Sequence, residues 1–185
     1  MRKLKSVLLY TALGLLANVG HAETADLGAL LEGDMRKLTL HTEPVATSDV
    51  AFLSPAGEEL TLADYEGKTI LVNFWATWCA PCRKEMPQLS DLQTQLGGEN
   101  FEVVTIATGR NPRPAMEAFF KEIGVDNLPL NTDARQSLAR SMGVLGLPVT
   151  VIIGPDGLEI GRLQGDADWA SESAIALLTA IADTE

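Results

Sequence analysis

The sequence contains few of the residues that bind zinc or nucleic acids. Its 185 residues include two cysteines and two histidines, whereas a structural zinc site normally needs four such ligands. His21 belongs to an N-terminal segment that looks like a cleavable leader, which leaves too few ligands for zinc. Basic side chains are also scarce, since 14 lysines and arginines are outnumbered by 25 acids, for a formal net charge of −11. Phosphate binding needs a basic surface, so we expect no nucleic-acid partner. Because zinc ligands are also scarce, we expect no bound metal.

The first 22 residues have the pattern of a secretory leader. Three basic residues stand near the start, residues 7–17 are mostly apolar, and residues 20–22 provide small side chains at positions −3 and −1 of a cleavage point after Ala22. The apolar segment is short for a bilayer span of about 20 residues. We therefore expect residues 1–22 to be a signal peptide or a retained signal anchor. Either one places both cysteines outside the cytoplasm, where disulfides persist.

The central feature of the sequence is a buried strand that leads directly into a helix. Residues 70–75 are almost all apolar, as in a strand that is covered on both faces. Pro81 suits a helix start, because that position needs no N–H donor, and the helix is expected to run to Leu96, before two glycines. Cys79 then lies at the helix N-terminus, and Cys82 lies one turn later.

This placement favours redox chemistry of the two thiols. The helix dipole and the free N–H groups of the first turn stabilise a negative charge, so a thiol at this point ionises more readily. Two other interpretations remain at this stage. The Cys79–Cys82 pair could be half of a zinc site, although the sequence offers too few further ligands. It could also be a purely structural disulfide, for which a loop this short stabilises the fold by only about 2 kcal/mol.

The remaining elements predict a single α/β domain with a mixed central sheet and helices on both faces. Residues 23–48 are predicted to be a linker and residues 49–185 the domain. Within it, residues 50–53 and 59–62 are predicted to form an N-terminal hairpin. Further strands are predicted at residues 101–107, 149–153 and 158–163. Further helices are predicted at residues 114–123 and 169–181, the latter with Asp168 as its cap. Another is predicted to follow Asp133, as its cap, and to end at Met142.

The motifs of the chain resemble those of the thioredoxin superfamily. The residues that carry the resemblance are Phe74-Trp-Ala-Thr-Trp-Cys-Ala-Pro-Cys82 and, before a later strand, Gly146-Leu-Pro148. Trp78-Cys-Ala-Pro-Cys-Arg-Lys-Glu-Met-Pro87 behind a leader is similar, more narrowly, to the TlpA/ResA/CcmG group of periplasmic thioredoxin-like proteins. The resemblance covers roughly residues 45–182 and implies a thioredoxin-like fold and a protein disulfide reductase.

The resemblance also implies roles for the two cysteines and their neighbours. Cys79 would attack a substrate disulfide, and Cys82 would resolve the mixed disulfide, leaving a Cys79–Cys82 redox-active disulfide. Trp78 abuts the motif, either as part of a substrate surface or as simple packing. Pro148 matches the family's cis-proline, which would turn the backbone of Leu147 toward an extended substrate.

Two further positions bear on the chemistry of the thiols. Glu85 matches an acid that faces the active site in close relatives and could shift thiol ionisation or pass a proton. The alternative is an exposed glutamate in the first turns of a helix. Asn73 departs from thioredoxin itself, which has a buried acid there, and an amide cannot act as a general base.

The resemblance implies partners as well as chemistry. The expected substrates are protein disulfides in apocytochrome c, a copper chaperone or an oxidase subunit, and a membrane thiol reductant would supply the electrons. We expect a periplasmic monomer without a cofactor, which an uncleaved N-terminus could tether to the inner membrane. The rival functions are a thiol oxidase or isomerase, and a Cu(I) chaperone that uses Cys79, Cys82 and Met86.

Overall fold

The computed structural model describes residues 27–183, so the predicted leader in residues 1–22 lies outside it. Eight strands form one sheet in the order β1-β8-β7-β4-β5-β6-β2-β3. The strands are β1 (Thr39–Ala46), β2 (Phe52–Leu53), β3 (Glu59–Leu60), β4 (Thr69–Trp75), β5 (Phe101–Thr108), β6 (Asn131–Asp133), β7 (Val149–Ile153) and β8 (Leu158–Gln164). The helices are α1 (Ala80–Leu96), α2 (Arg113–Ile123), α3 (Ser137–Ser141) and α4 (Glu172–Ala182).

The sheet is mixed and has a core on each face, as the sequence predicted. β4 pairs in parallel with β5 and antiparallel with β7. Alternate residues of β4 point to opposite faces, so Leu71 and Trp75 pack with α1, α2 and α4, whereas Val72 and Phe74 pack with α3 and the hairpin. All seven residues of β4 are buried, which explains their nearly continuous apolar character.

The linker predicted for residues 23–48 does not match the structure of its described part. Two short 3-10 turns lie at Leu27–Leu30 and Gly33–Lys37, and β1 pairs with β8 at the sheet edge. Met35 and Leu38 are buried in the core beside α4. The prediction missed β1 because its residues are mostly polar and include Pro44, which an edge strand tolerates. At Gly161 an added Cβ would lie 2.7 Å from the Thr39 carbonyl oxygen, so glycine permits this close pairing.

Two helices begin later than predicted, and β6 was missed as well as β1. Asp133 lies in β6, and α3 begins at Ser137, although the Asp133 carboxylate accepts hydrogen bonds from the N–H groups of Ser137 and Ala139. α4 begins at Glu172 with Ser171 as its cap, so Asp168 is not the cap. Across residues 27–183, no helix has both the length and the apolar character needed to cross a bilayer.

Candidate active site

The two cysteines lie where β4 passes into α1. The helix begins at Ala80, one residue earlier than predicted, and Cys79 is its N-cap. Cys79 and Cys82 form a disulfide, and the N–H of Cys82 lies 3.3 Å from the Cys79 sulfur. Cys79 is 6% exposed and Cys82 is fully buried. After reduction, the same N–H and the helix dipole would stabilise a thiolate at Cys79, which is the cysteine that a substrate can reach.

Pro148, Leu147 and Trp78 lie on the same edge of the sheet as the disulfide. The Leu147–Pro148 peptide bond is cis, as the resemblance implied. Phe74 pairs with Val149, so Pro148 lies opposite the end of β4. Leu147 and Trp78 line a common groove, and Trp78 is 64% exposed. This exposure favours a substrate surface over simple packing for Trp78.

Glu85 is fully buried one turn after Cys82, which rules out the exposed-glutamate alternative. Its carboxylate accepts hydrogen bonds from Asn73 Nδ2 at 2.8 Å, Trp169 Nε1 at 3.2 Å and the Ala167 N–H at 3.4 Å. Burial raises the pKa of Glu85 to about 7, and these three donors offset only part of that effect. A carboxyl group with such a pKa can exist in both protonation states near neutral pH.

Asn73 and Trp169 hold this carboxylate in place, and sequence reasoning assigned neither of them that role. Asn73 Nδ2 also donates to Thr150 Oγ1 at 2.9 Å, so the amide links β4, β7 and α1. Trp169 was predicted to begin the last helix, but it lies before α4, fully buried. A buried tryptophan usually finds an acceptor for its N–H. The presence of Trp169 therefore suggested a buried acceptor for its N–H, but the sequence alone did not show that this acceptor is Glu85.

The loop after β5 is attached to the cysteine loop. Asn111 Oδ1 accepts hydrogen bonds from the Thr77 N–H at 2.8 Å and from Thr77 Oγ1 at 3.0 Å. Thr77 lies two residues before Cys79. These two bonds tether the loop after β5 to the segment that precedes the cysteines.

Comparison with known proteins shows which family and fold this chain shares. The AhpC/TSA family model matches residues 45–158, which is more than half of the chain. The chain is 34% identical to the thiol-disulfide oxidoreductase ResA of Bacillus subtilis over 109 residues, which cover 59% of this chain and 60% of that protein. The curated relative is thus matched over less than two thirds of its length.

Solved structures share the fold at lower identity. A thiol:disulfide interchange protein of the thioredoxin family from Chlorobium tepidum has a TM-score of 0.62 and 24% identity, with 77% of this chain and 99% of that chain covered. A DsbF homologue from Corynebacterium diphtheriae has a TM-score of 0.63 and 22% identity, with 78% and 91% covered. The chain therefore belongs to the AhpC/TSA family and has the thioredoxin-like fold that its cysteine motif predicted.

Proposed function

We propose that this protein is a thiol:disulfide oxidoreductase that reduces disulfides in other proteins. The observation that carries the proposal is the asymmetry of the cysteine pair at the start of α1. Cys79 caps the helix and retains some exposure, whereas Cys82 is fully buried behind it. A reductase needs this difference, because one thiolate must meet the substrate and the other must wait for the mixed disulfide.

The reaction consists of two thiol–disulfide exchanges. The Cys79 thiolate attacks one sulfur of the substrate disulfide, the substrate S–S bond breaks, and the first substrate thiolate leaves with its electron pair and takes up a proton. The Cys82 thiolate then attacks the Cys79 sulfur and releases the second substrate thiolate. The substrate gains two electrons and two protons, and the Cys79–Cys82 disulfide is formed.

The groove beside the disulfide provides a surface for the substrate chain. Leu147 precedes the buried cis-proline, Pro148, and is partly exposed next to Trp78. An extended substrate segment can pair with the Leu147 backbone in the manner of an added strand. Trp78 can then pack on the substrate side chains near the cysteine.

Glu85 serves as the proton-handling group for Cys82. It lies one turn after Cys82 on α1 and is shielded from solvent. As a carboxylate it can accept the proton that the Cys82 thiol must lose before its attack, and as an acid it can return that proton. Asn73 and Trp169 position the group but do not exchange protons in this reaction.

Replacement of Glu85 by glutamine tests this role and the burial of the charge. The raised pKa of Glu85 means that its contribution to stability is fully present below about pH 4.5, the ordinary value, and is lost as the pH rises to about 7. Over that range the wild-type free energy of unfolding is expected to fall, relative to E85Q, by up to about 1.4 kcal/mol per pH unit. Denaturant unfolding of the oxidised proteins at several pH values measures this difference.

The same variant should also change the pH profile of disulfide reduction. In the wild type the rate of disulfide reduction should change with pH near pH 7, where Glu85 titrates. This pH dependence should be absent in E85Q and retained when the exposed Glu117 is changed to glutamine. The role given to Glu85 would be contradicted if the free energy of unfolding changed with pH in the same way in wild type and E85Q, and if both kept the same pH dependence of the reduction rate near pH 7.

The leader pattern and the resemblance support a periplasmic setting for this activity. The substrates proposed are proteins of cytochrome c maturation or of copper-centre assembly in respiratory oxidases. A membrane thiol reductant would then reduce the Cys79–Cys82 disulfide after each turnover. The protein would act as a monomer, either free or tethered by its N-terminal segment.

The reduction potential of the cysteine pair separates a reductase from an oxidase. We expect a value below about −220 mV, nearer to the −270 mV of thioredoxin than to the −120 mV of the oxidant DsbA. Equilibration in thiol redox buffers, followed by the fluorescence of Trp75 and Trp78, provides the measurement. A value near about −120 mV would instead identify the oxidase that was the first rival function.

A further inference from the structure

Three segments of this acidic chain are basic. Residues 76–84, 109–116 and 134–149 contain no aspartate or glutamate, although the whole chain has 25 acids and only 14 basic side chains. The basic residues in these segments are Arg83, Lys84, Arg110, Arg113, Arg135 and Arg140. These segments, 33 of the 185 residues, hold six of the 14 basic side chains and none of the acids.

The fold brings these three segments to one edge of the sheet. Trp75 of β4 pairs with Ala107 of β5, so the loops that follow these parallel strands leave from the same edge. Thr108 pairs with Asp133 of β6, which leads into α3. The segment before β7 reaches the same edge, because that strand is antiparallel to β4. We call this edge the basic rim, and the Cys79–Cys82 disulfide lies within it.

Four arginines of the basic rim have no carboxylate partner within residues 27–183. Arg83 lies over the Phe119 ring and 3.6 Å from Glu122, and Lys84 pairs with Asp166 at 3.1 Å. The four arginines that form no such ion pair are Arg110, Arg113, Arg135 and Arg140.

Asp133, an acid at the same edge, does not neutralise these arginines. It is 4% exposed, and its two carboxylate oxygens accept hydrogen bonds from the N–H groups at the start of α3. Arg140 donates to the backbone carbonyl of Arg135 rather than to an acid. The positive charge of α3 therefore remains available to a ligand.

An open apolar groove lies against the rim. It has a volume of about 400 Å³ and is lined by Trp78, Leu145, Leu147 and Arg140, among others. Leu145 is 96% exposed and Trp78 64% exposed. Exposed apolar side chains that form one surface next to a reactive group are typical of a binding site.

We propose that the groove and the basic rim select protein substrates whose reactive cysteine lies in an acidic segment that also has an apolar side chain. This inference rests on the proposed reductase function, since the ligand must bring a disulfide to Cys79. The apolar side chain packs in the groove against Trp78 and Leu147. The flanking carboxylates meet the unpaired guanidinium groups, which are the natural partners of carboxylates.

The rim also offers an acidic partner an attractive surface on a protein whose net charge repels it. At a net charge of −11 the molecule repels an acidic partner at long range. A local cluster of positive charge around the disulfide directs such a partner to the one productive face. Electrostatic steering of this kind raises association rates by about 10- to 1,000-fold and weakens with salt.

Two synthetic peptides that differ only in charge test the proposal. Each has one intramolecular disulfide and a leucine beside the first cysteine, with four glutamates in one peptide and four lysines in the other. The rate constant with the reduced full-length protein is measured by tryptophan fluorescence. It is divided by the rate constant of each peptide with dithiothreitol, which removes the intrinsic effect of the flanking charges.

We expect the normalised rate for the glutamate peptide to exceed that for the lysine peptide by about 10-fold or more at low salt. The ratio should approach one in 0.5 M salt. The double change Arg110→Glu/Arg140→Glu should remove or invert the preference, and Arg110→Gln/Arg140→Gln should reduce it. The matched control Lys68→Glu/Lys121→Glu makes the same change in net charge before β4 and near the end of α2, away from the rim, and should retain most of the preference.

Hydroxyethyl disulfide, a small neutral substrate, separates this inference from the proposed function. All variants should reduce it, which shows that they are folded, and the ratio of the two peptide rates within each variant removes any effect of the substitution on the Cys79 thiolate. Equal normalised rates for the two peptides, or equal losses in the rim and control variants, would overturn the inference and leave the reductase intact. Failure of the wild type to reduce any of the three substrates would overturn the proposed function itself.

Discussion

Replacement of Cys79 by serine is expected to abolish disulfide reduction, with a loss on the order of 10³-fold or more. A serine hydroxyl stays protonated at neutral pH and cannot attack a disulfide, whereas the helix N-terminus stabilises a thiolate at this position. The assay is the reduction of a protein disulfide with dithiothreitol as the electron donor, compared with dithiothreitol alone.

Replacement of Cys82 by serine should have a different result. Cys79 can still attack, but no second thiol is present to resolve the product, so a mixed disulfide with the substrate should accumulate. Non-denaturing mass spectrometry or a non-reducing gel detects this species. Trapping by C79S instead of C82S would reverse the roles of the two cysteines, and wild-type turnover by either variant would refute the mechanism.

Replacement of Arg162 by methionine is expected to lower the free energy of unfolding by about 3 kcal/mol. Glu159 is 1% exposed and accepts hydrogen bonds from Arg162 Nε at 2.6 Å and Nη2 at 2.5 Å. His41 Nε2 lies 2.7 Å from the same carboxylate, and Arg162 also donates to the Met142 carbonyl at 2.9 Å. Loss of the guanidinium leaves a buried carboxylate with little compensation, which denaturant unfolding at pH 7 would detect.

The pH dependence provides a second measure of this cluster. Burial acts to raise the pKa of Glu159, but the hydrogen bonds from Arg162 and His41 outweigh it, so the pKa is lowered. The stability that this group contributes is therefore present above about pH 4.5 and is lost as the pH falls below that value. R162M should lack this acid-sensitive part of the stability.

Two controls show whether the buried charge is the cause. The exposed Arg36→Met change removes the same charge elsewhere and should alter stability by no more than about 0.5 kcal/mol. Adding Glu159→Leu to R162M should restore much of the loss, because the unpaired carboxylate is then gone. Additive losses in the double variant would mean that packing of the arginine side chain, rather than charge, explains the effect.

The elements that the sequence predicted well have local signals that agree with their tertiary surroundings. β4, β5 and β7 are apolar runs because both faces of the central sheet are covered. α1 ends at a glycine, and the hairpin and the β7–β8 turn contain glycine at positive φ. In each of these segments the local residue pattern, apolar runs in the strands and glycine in the turns, matches the conformation that the segment adopts in the fold.

The elements that were missed or misplaced depend on contacts with distant parts of the chain. β6 has only three residues, and its strand conformation depends on pairing with β5 and β2. The Glu159–Arg162 pair was not foreseen, since residues three apart on a regular strand point to opposite faces. The pairing with β7 skips Ile160, so Glu159 and Arg162 lie opposite Ile153 and Val151 and share one face.

The sequence alone therefore determined the reactive chemistry of this protein, because a dithiol at a strand–helix junction is encoded within a dozen consecutive residues. It also determined the fold class and the family, through the motif and the apolar strands. Only the tertiary structure decided the environment of that chemistry. Asn73 and Trp169 converge on the buried Glu85 from a strand and a loop far apart in sequence. Strand pairing brings to the edge that carries the disulfide four arginines that form no ion pair within residues 27–183. Burial and charge at a point in space depend on all the segments that meet there, and no local pattern records them.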